Sequence, residues 1–173
     1  MFPRLPRREF ERVKGDGARR AMRKIVDTGA RPGVLAYDGD EPVGWLAIEP
    51  RAVFTQLERS RILKPVDDQP VWSIVCMFVA RHTRRAGVSR ALIRGAVDEA
   101  RRRGARIVEA YPVEPKSDDM PAVFAYHGIA SSFLAEGFRE VARRSPTRPI
   151  VRKSVRPRRV ADRPAPVGSR LPR

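Results

Sequence analysis

Seven consecutive residues near the middle of the chain, Arg84-Arg85-Ala86-Gly87-Val88-Ser89-Arg90, are the densest source of chemistry in the sequence. Glycine at 87 removes a Cβ where backbone must approach a ligand, and a helix starting at Val88 presents unpaired N–H groups beside three guanidiniums. The combination is a cradle for an anion. It is neither a Walker A loop, which needs Gly-Lys-Ser/Thr, nor the dinucleotide GxGxxG. Further on, Glu109 stands in the apolar run Arg106-Ile107-Val108-Glu109-Ala110-Tyr111. There desolvation would raise a carboxyl toward the range of a general base, or an arginine would draw it into a structural ion pair. Tyr111, Tyr126 and His127 are the nearby proton donors. Cys76 lies inside an apolar run with no histidine beside it and reads as core. Trp45 and Trp72 read as core or pocket wall. His82 and His127 are isolated, and a single cysteine excludes a cysteine-based zinc site, so no metal is expected.

The elements that must position these residues follow from periodicity. Ala21, Met22, Ile25 and Val26 recur at helical spacing over Ala18 to Thr28, with Gly29 as a stop. Residues 33–37 and 42–48 are apolar runs around Asp38-Gly39-Asp40-Glu41 and predict a hairpin. Ala52 to Leu63 reads as an irregular, partly helical segment ahead of Pro65. Val71 to Val79 is apolar at nearly every position and predicts a central strand buried on both faces. A helix follows over Val88 to Arg103, with Val88, Ala91, Leu92, Ala96 and Ala100 on one face and Gly104 ending it. Then come an inner strand from Ala105 to Val113, a proline-bearing loop, a short helix from Ala130 to Glu136, and strands over 138–142 and 150–155.

The chain has 173 residues, 42% of them apolar and 32% charged, enough for one domain with its own core. No run approaches the length of a membrane-spanning helix. Met1-Phe2-Pro3-Arg4-Leu5-Pro6 lacks the apolar stretch of a signal peptide, so a cytoplasmic location is expected. The net charge of +16 comes from 36 basic side chains, of which Lys14, Lys24, Lys64, Lys116 and Lys153 are the lysines. Arginine in such excess reflects either a polyanion-binding surface or a GC-rich coding sequence; its even spread along the chain favours the second. From Arg152 to Arg173 eight basic residues stand against Asp162, with four prolines and almost no apolar periodicity. A globular domain over 1–155 and a disordered basic tail over 156–173 are therefore expected.

An apolar strand followed by Arg84-x-x-Gly87-x-Ser89 and a helix resembles the acyl-CoA-binding motif of the GNAT N-acetyltransferase superfamily, Gln/Arg-x-x-Gly-x-Gly/Ala. Ser89 departs from the usual Gly or Ala. Ala135-Glu136-Gly137-Phe138 is similar to the family's Gly-Phe after its fourth helix, and the resemblance spans roughly residues 32 to 155. Residues 1–30 leave little room for the family's full first strand and two helices. The resemblance implies an α/β (α+β) fold, with a mixed, mostly antiparallel sheet, a splayed central strand pair and flanking helices. It also implies transfer of an acetyl group from acetyl-CoA to an amine by direct attack in a ternary complex. The pyrophosphate would sit on the N–H groups of Arg85, Ala86, Gly87, Val88, Ser89 and Arg90, with Arg84 beside them. The pantetheine would pair with Met77, Phe78 and Val79, and a strand N–H near Phe78 or Val79 would hold the oxyanion.

Two further positions depart from the family. The glutamate base that some members carry on the central strand corresponds to Ser73, and the tyrosine acid on the fourth helix corresponds to Phe133. Glu109 is then the candidate base and Tyr126 the candidate acid. The acceptor would be a small-molecule or peptide amine. A non-catalytic acyl-CoA-binding domain and a basic nucleic-acid-binding protein remain compatible with these residues, as does a homodimer formed through exposed strand edges.

Overall fold

In the computed structural model, which describes residues 3–115 and 126–156, the two apolar runs around Gly39 form the hairpin β1 (Gly33–Asp38) and β2 (Glu41–Pro50), with Asp38 opposite Glu41. The continuous apolar run becomes β3 (Trp72–Val79), antiparallel to β2 and third of six strands. After helix α4 (Val88–Arg102) the chain returns as β4 (Ile107–Ala110), the one parallel neighbour, and ends in β5 (Arg139–Arg143) and β6 (Pro149–Ser154). The sheet order is β1-β2-β3-β4-β6-β5, with every pair but β3/β4 antiparallel. This is the mixed, mostly antiparallel sheet expected.

Apolar side chains divide between its two faces. Leu46, Ile48, Ile74 and Met77 meet Leu92, Ile93, Ala96 and Ala100 of α4 and Phe133 of helix α5 (Ala130–Ala135) on one side. On the other, Ala47, Val75, Tyr111 and Ile150 meet Phe54 and Leu57 beside the one-turn helix α3 (Thr55–Glu58). Within α4, Ala91 is exposed and Ile93 and Val97 take up the buried face, a small rotation of the stripe read from spacing.

The N-terminus holds two helices, α1 (Arg7–Val13) and α2 (Asp16–Asp27), and no strand among its described residues. Helix α1 escapes a periodicity search because Phe10 and Val13 are its only large apolar residues and none of its residues is buried. The segment 52–63 holds the end of a 3-10 turn, the four-residue helix α3 and then irregular turns, the partly helical excursion expected. The inner strand expected over Ala105 to Val113 pairs only from Ile107 to Ala110, because β3 turns away beyond Ile74. Most of the basic tail, from residue 157, lies outside the described residues.

The excursion between β2 and β3 is fastened by buried charge. Glu109, 1% exposed, receives Arg51 Nη1 at 3.1 Å, Tyr111 OH at 2.5 Å and Arg152 Nε at 2.7 Å. Arg51 also donates to Glu58 at 2.8 Å and to the Leu63 carbonyl at 2.8 Å, while Arg152 reaches Asp67 at 2.7 Å and 3.0 Å. One carboxylate thus ties β4 to both ends of an excursion whose regular structure is limited to single helical turns. Replacing Glu109 by alanine leaves two guanidiniums facing each other without their shared counter-ion. Glu109→Ala is expected to cost about 3–5 kcal/mol, read as a lower urea midpoint at unchanged slope.

Candidate active site

Parallel strands β3 and β4 pair over three residues, Trp72 to Ile74 against Val108 to Ala110, and then separate. A register shift in β3 opposite Ala47 and Ile48 leaves Val75 unpaired, so Val75 and Cys76 fall on the same face while Met77 returns to the other. Past the bulge, Ala80 N–H donates to the Val43 carbonyl at 2.8 Å, which fixes the alternation. Phe78 N–H faces β2, and Met77 and Val79 present their backbone groups to the gap.

The segment 126–130 enters that gap. Met77 N–H donates to the Tyr126 carbonyl at 2.6 Å, and Val113 N–H donates to Gly128 O and Ala130 N–H to Val113 O, both at 2.9 Å. Gly128 has φ +79, and a Cβ there would lie 2.7 Å from the Phe133 ring, so no other residue passes between β3 and α5. Among the described residues no strand pairs with Val79 at this edge of β3, and its carbonyl accepts from Arg84 Nε at 3.5 Å.

A cavity of about 490 Å³ opens along that edge. Met77, Phe78 and Val79 line it from β3, Arg84, Arg85 and Gly87 from the loop, Val88 and Ser89 from α4, and Tyr126, Gly128, Ile129 and Ser132 from the opposite wall. The loop backbone is shaped for an anion. Arg85 is the one non-glycine residue with positive φ among the described residues (66), and Gly87 caps α4 with φ 81. The first helical bond runs from Ala91 N–H to Gly87 O, so the N–H groups of Val88, Ser89 and Arg90 have no partner within the helix. Ala86 and Arg90, two of the residues expected in the cradle, do not line the cavity with their side chains. Arg90 instead pairs with Glu136 at 2.7 Å alongside Arg94 at 2.8 Å. Burial opposes ionisation of Glu136, yet the two guanidiniums outweigh it and hold the carboxyl below its usual range.

A second cavity, of about 190 Å³, lies on the other face of the sheet. Trp45, Ala47, Val75, Cys76 and Phe54 form its floor, and Pro3, Arg4, Phe10 and Met22 form the cover brought by the N-terminal helices. Tyr126 lines both cavities and is 38% exposed.

Glu109 lines neither cavity, and both its oxygens are taken by the Arg51–Arg152–Tyr111 network. Ser73 Oγ lies 2.9 Å from Tyr111 OH within the same buried cluster. Burial and the neighbouring Glu109 charge push the Tyr111 hydroxyl far above its ordinary pKa, which leaves it a fixed donor. Phe133 is fully buried, edge-on to Phe138 at 5.3 Å. Burial also raises the Cys76 thiol. Gly128, Ile129 and Ser132 carry no motif and reach the cavity only through the inserted segment and the start of α5, while Thr83 reaches it from the turn just before Arg84. Among the described residues no three His, Cys, Asp or Glu side chains gather as metal ligands, and no helix is long and apolar enough to cross a membrane.

Comparison with known proteins agrees with this geometry. The sequence profile of the Acetyltransferase (GNAT) family matches residues 2–128. A GNAT-family protein from Desulfovibrio desulfuricans superposes with a TM-score of 0.51 at 20% identity, covering 87% of this chain and 94% of its own. The ribosomal-protein-alanine N-acetyltransferase of Brucella melitensis does so at 0.51 and 15% identity over 81% and 78%. PaiA N-acetyltransferase of Thermoplasma acidophilum, solved in complex with coenzyme A, reaches 0.51 at 9% identity over 84% and 74%. No curated protein sequence matches the chain significantly.

His127 borders this site and titrates in a useful window. Burial first, and the Arg148 charge second, lower its pKa to about 3 against 6.5 for a free imidazole. The native state therefore holds it neutral while the unfolded chain binds a proton below 6.5, so stability falls as pH drops from 6.5 toward 3. The loss approaches about 1.4 kcal/mol per pH unit from this group. A His127→Gln variant is expected to show a shallower decline of urea midpoint over that range.

Proposed function

The chain belongs to the GNAT acetyltransferase family, and we propose that it transfers an acetyl group from acetyl-CoA to an amine acceptor by direct attack with both substrates bound. The observation that carries this reading is the pair of cavities on opposite faces of the sheet, meeting at Tyr126 where β3 and β4 part. The larger cavity fits the donor. The N–H groups that begin α4, with Arg84 and Arg85 beside them, suit the pyrophosphate, and the open edge at Val79 suits the amide-bearing arm. The smaller cavity admits the acceptor from the other side.

Chemically, the amine lone pair forms the new C–N bond as the thioester C–S bond breaks. Val79 N–H is the donor for the developing oxyanion. Tyr126, which lines both cavities, supplies the proton that the leaving sulfur takes up; the nitrogen releases its own proton to solvent, and solvent returns one to the Tyr126 phenolate. Glu109 acts as a positioning residue rather than a base, since its oxygens are already committed. Buried Ser73 and Phe133, which stand where family members carry the base and acid, favour a second reading: a domain that binds acyl-CoA without turnover.

Two experiments test these readings. In thermal unfolding with acetyl-CoA at about 100 times its Kd, the wild type gains roughly 2.7 kcal/mol. Gly87→Trp, which places an indole at the cavity wall, should gain nothing; a polyanion such as RNA stabilising both proteins while acetyl-CoA stabilises neither would overturn the assignment. Tyr126→Phe should lower kcat about 10²-fold or more while keeping the acetyl-CoA shift. Acetyl-CoA binding with no transfer to any amine by the wild type would select the second reading.

A further inference from the structure

The size, walls and charge of the smaller cavity specify an acceptor, on the premise that this cavity is the acceptor side. A dry apolar cavity of about 150 Å³ accommodates benzene. The 190 Å³ available here therefore fits one aromatic ring bearing a small substituent. Its walls are apolar, with Phe10, Met22, Trp45, Phe54 and Val75 around the Tyr126 junction.

Charge narrows the choice. Among the described residues lining the cavity the one formally charged side chain is Arg4, whose guanidinium pairs with the buried Glu49 carboxylate and lies 5.0 Å from the centre of the Phe54 ring. Among the described residues that line it there is no carboxylate and no imidazole. Against this described lining an alkylammonium would lose its hydration beside a guanidinium without gaining a counter-ion or a base to take its proton. An amine whose lone pair is delocalised into a ring avoids both costs, because it is uncharged at neutral pH and ready to attack.

We propose that the acceptor is a single-ring aromatic amine of the aniline class, bound uncharged in the apolar cavity beneath the N-terminal helices. The basic surface of the protein, which by itself suggests acidic acceptors, does not extend into this cavity.

Para-toluidine and benzylamine are isomers of nearly equal volume that differ in basicity, so they separate charge from size. With acetyl-CoA at neutral pH the wild type should acetylate para-toluidine at least about tenfold more efficiently in kcat/KM than benzylamine or spermidine. The benzylamine rate should climb with pH while the toluidine rate stays flat. A readout independent of turnover uses Cys76, the single cysteine of the chain, which lines this cavity. Para-toluidine should slow its alkylation by iodoacetamide at alkaline pH, and spermidine should not. Ala47→Phe fills the cavity floor and should abolish both effects while the acetyl-CoA thermal shift persists; the wild-type protection experiment decides the question even where that variant does not fold. Preference for benzylamine or spermidine, or alkylation unaffected by toluidine, in a protein that still binds acetyl-CoA overturns the acceptor assignment and leaves acetyl transfer standing. Absence of the acetyl-CoA shift removes the acetyltransferase reading itself, and this inference with it.

Discussion

The parting of β3 from β4 after three paired residues is the constraint on which the rest of the molecule depends. Parallel strands normally continue side by side until their hydrogen bonds run out. Here the bulge at Val75 rotates β3, and the backbone of 126–130 takes over the partner's place at Met77 and Val113. The substitution satisfies some of the exposed strand groups and leaves the stretch near Val79 open. An interior strand thereby acquires an edge without exposing a long aggregation-prone one. Gly128 is the narrowest point of the arrangement, since the insertion passes against the Phe133 ring.

Arginine excess has a structural meaning within this frame. Arg51 and Arg152 close on Glu109, Arg90 and Arg94 on Glu136, and Arg102 on Glu99, each pair joining parts of the chain or turns of one helix. Planar guanidiniums with several donors suit such sharing better than lysine would. The buried Glu109 cluster is the consequential one. It fastens the irregular 51–67 excursion onto the face that also carries the smaller cavity, where an apolar core alone is thin. The more exposed pair of Glu140 with Arg143 contributes little.

The two sides of the gap differ in kind. One cavity is rimmed by a helix start, two arginines and free backbone N–H groups, an environment for a ligand with phosphates and amides. The described walls of the other are rings and aliphatic groups, with Arg4 paired to Glu49. Tyr126 is exposed to both, its carbonyl anchored on Met77 and its ring 4.1 Å from that of His127. That anchoring fixes the backbone of a residue that lines both cavities.

Local chemistry made much of this legible beforehand. The hairpin, the buried central strand, α4 and the anion loop from Arg84 to Ser89 follow from short-range features: alternation, helical spacing, a glycine at a helix start. Each depends on neighbours within a few residues, so a linear reading suffices. Glu109 could equally have been a base or a structural ion-pair partner, because its two oxygens are occupied by residues 58 positions before it and 43 after it. Helix α1 was silent for want of a buried face. The truncation of β4, the entry of 126–130 into the split and the cavity beneath the N-terminal helices were decided only by tertiary structure. They arise from long-range backbone hydrogen bonds and from packing between segments far apart in the chain, and no periodicity in a single sequence records which distant backbone will claim an open strand edge.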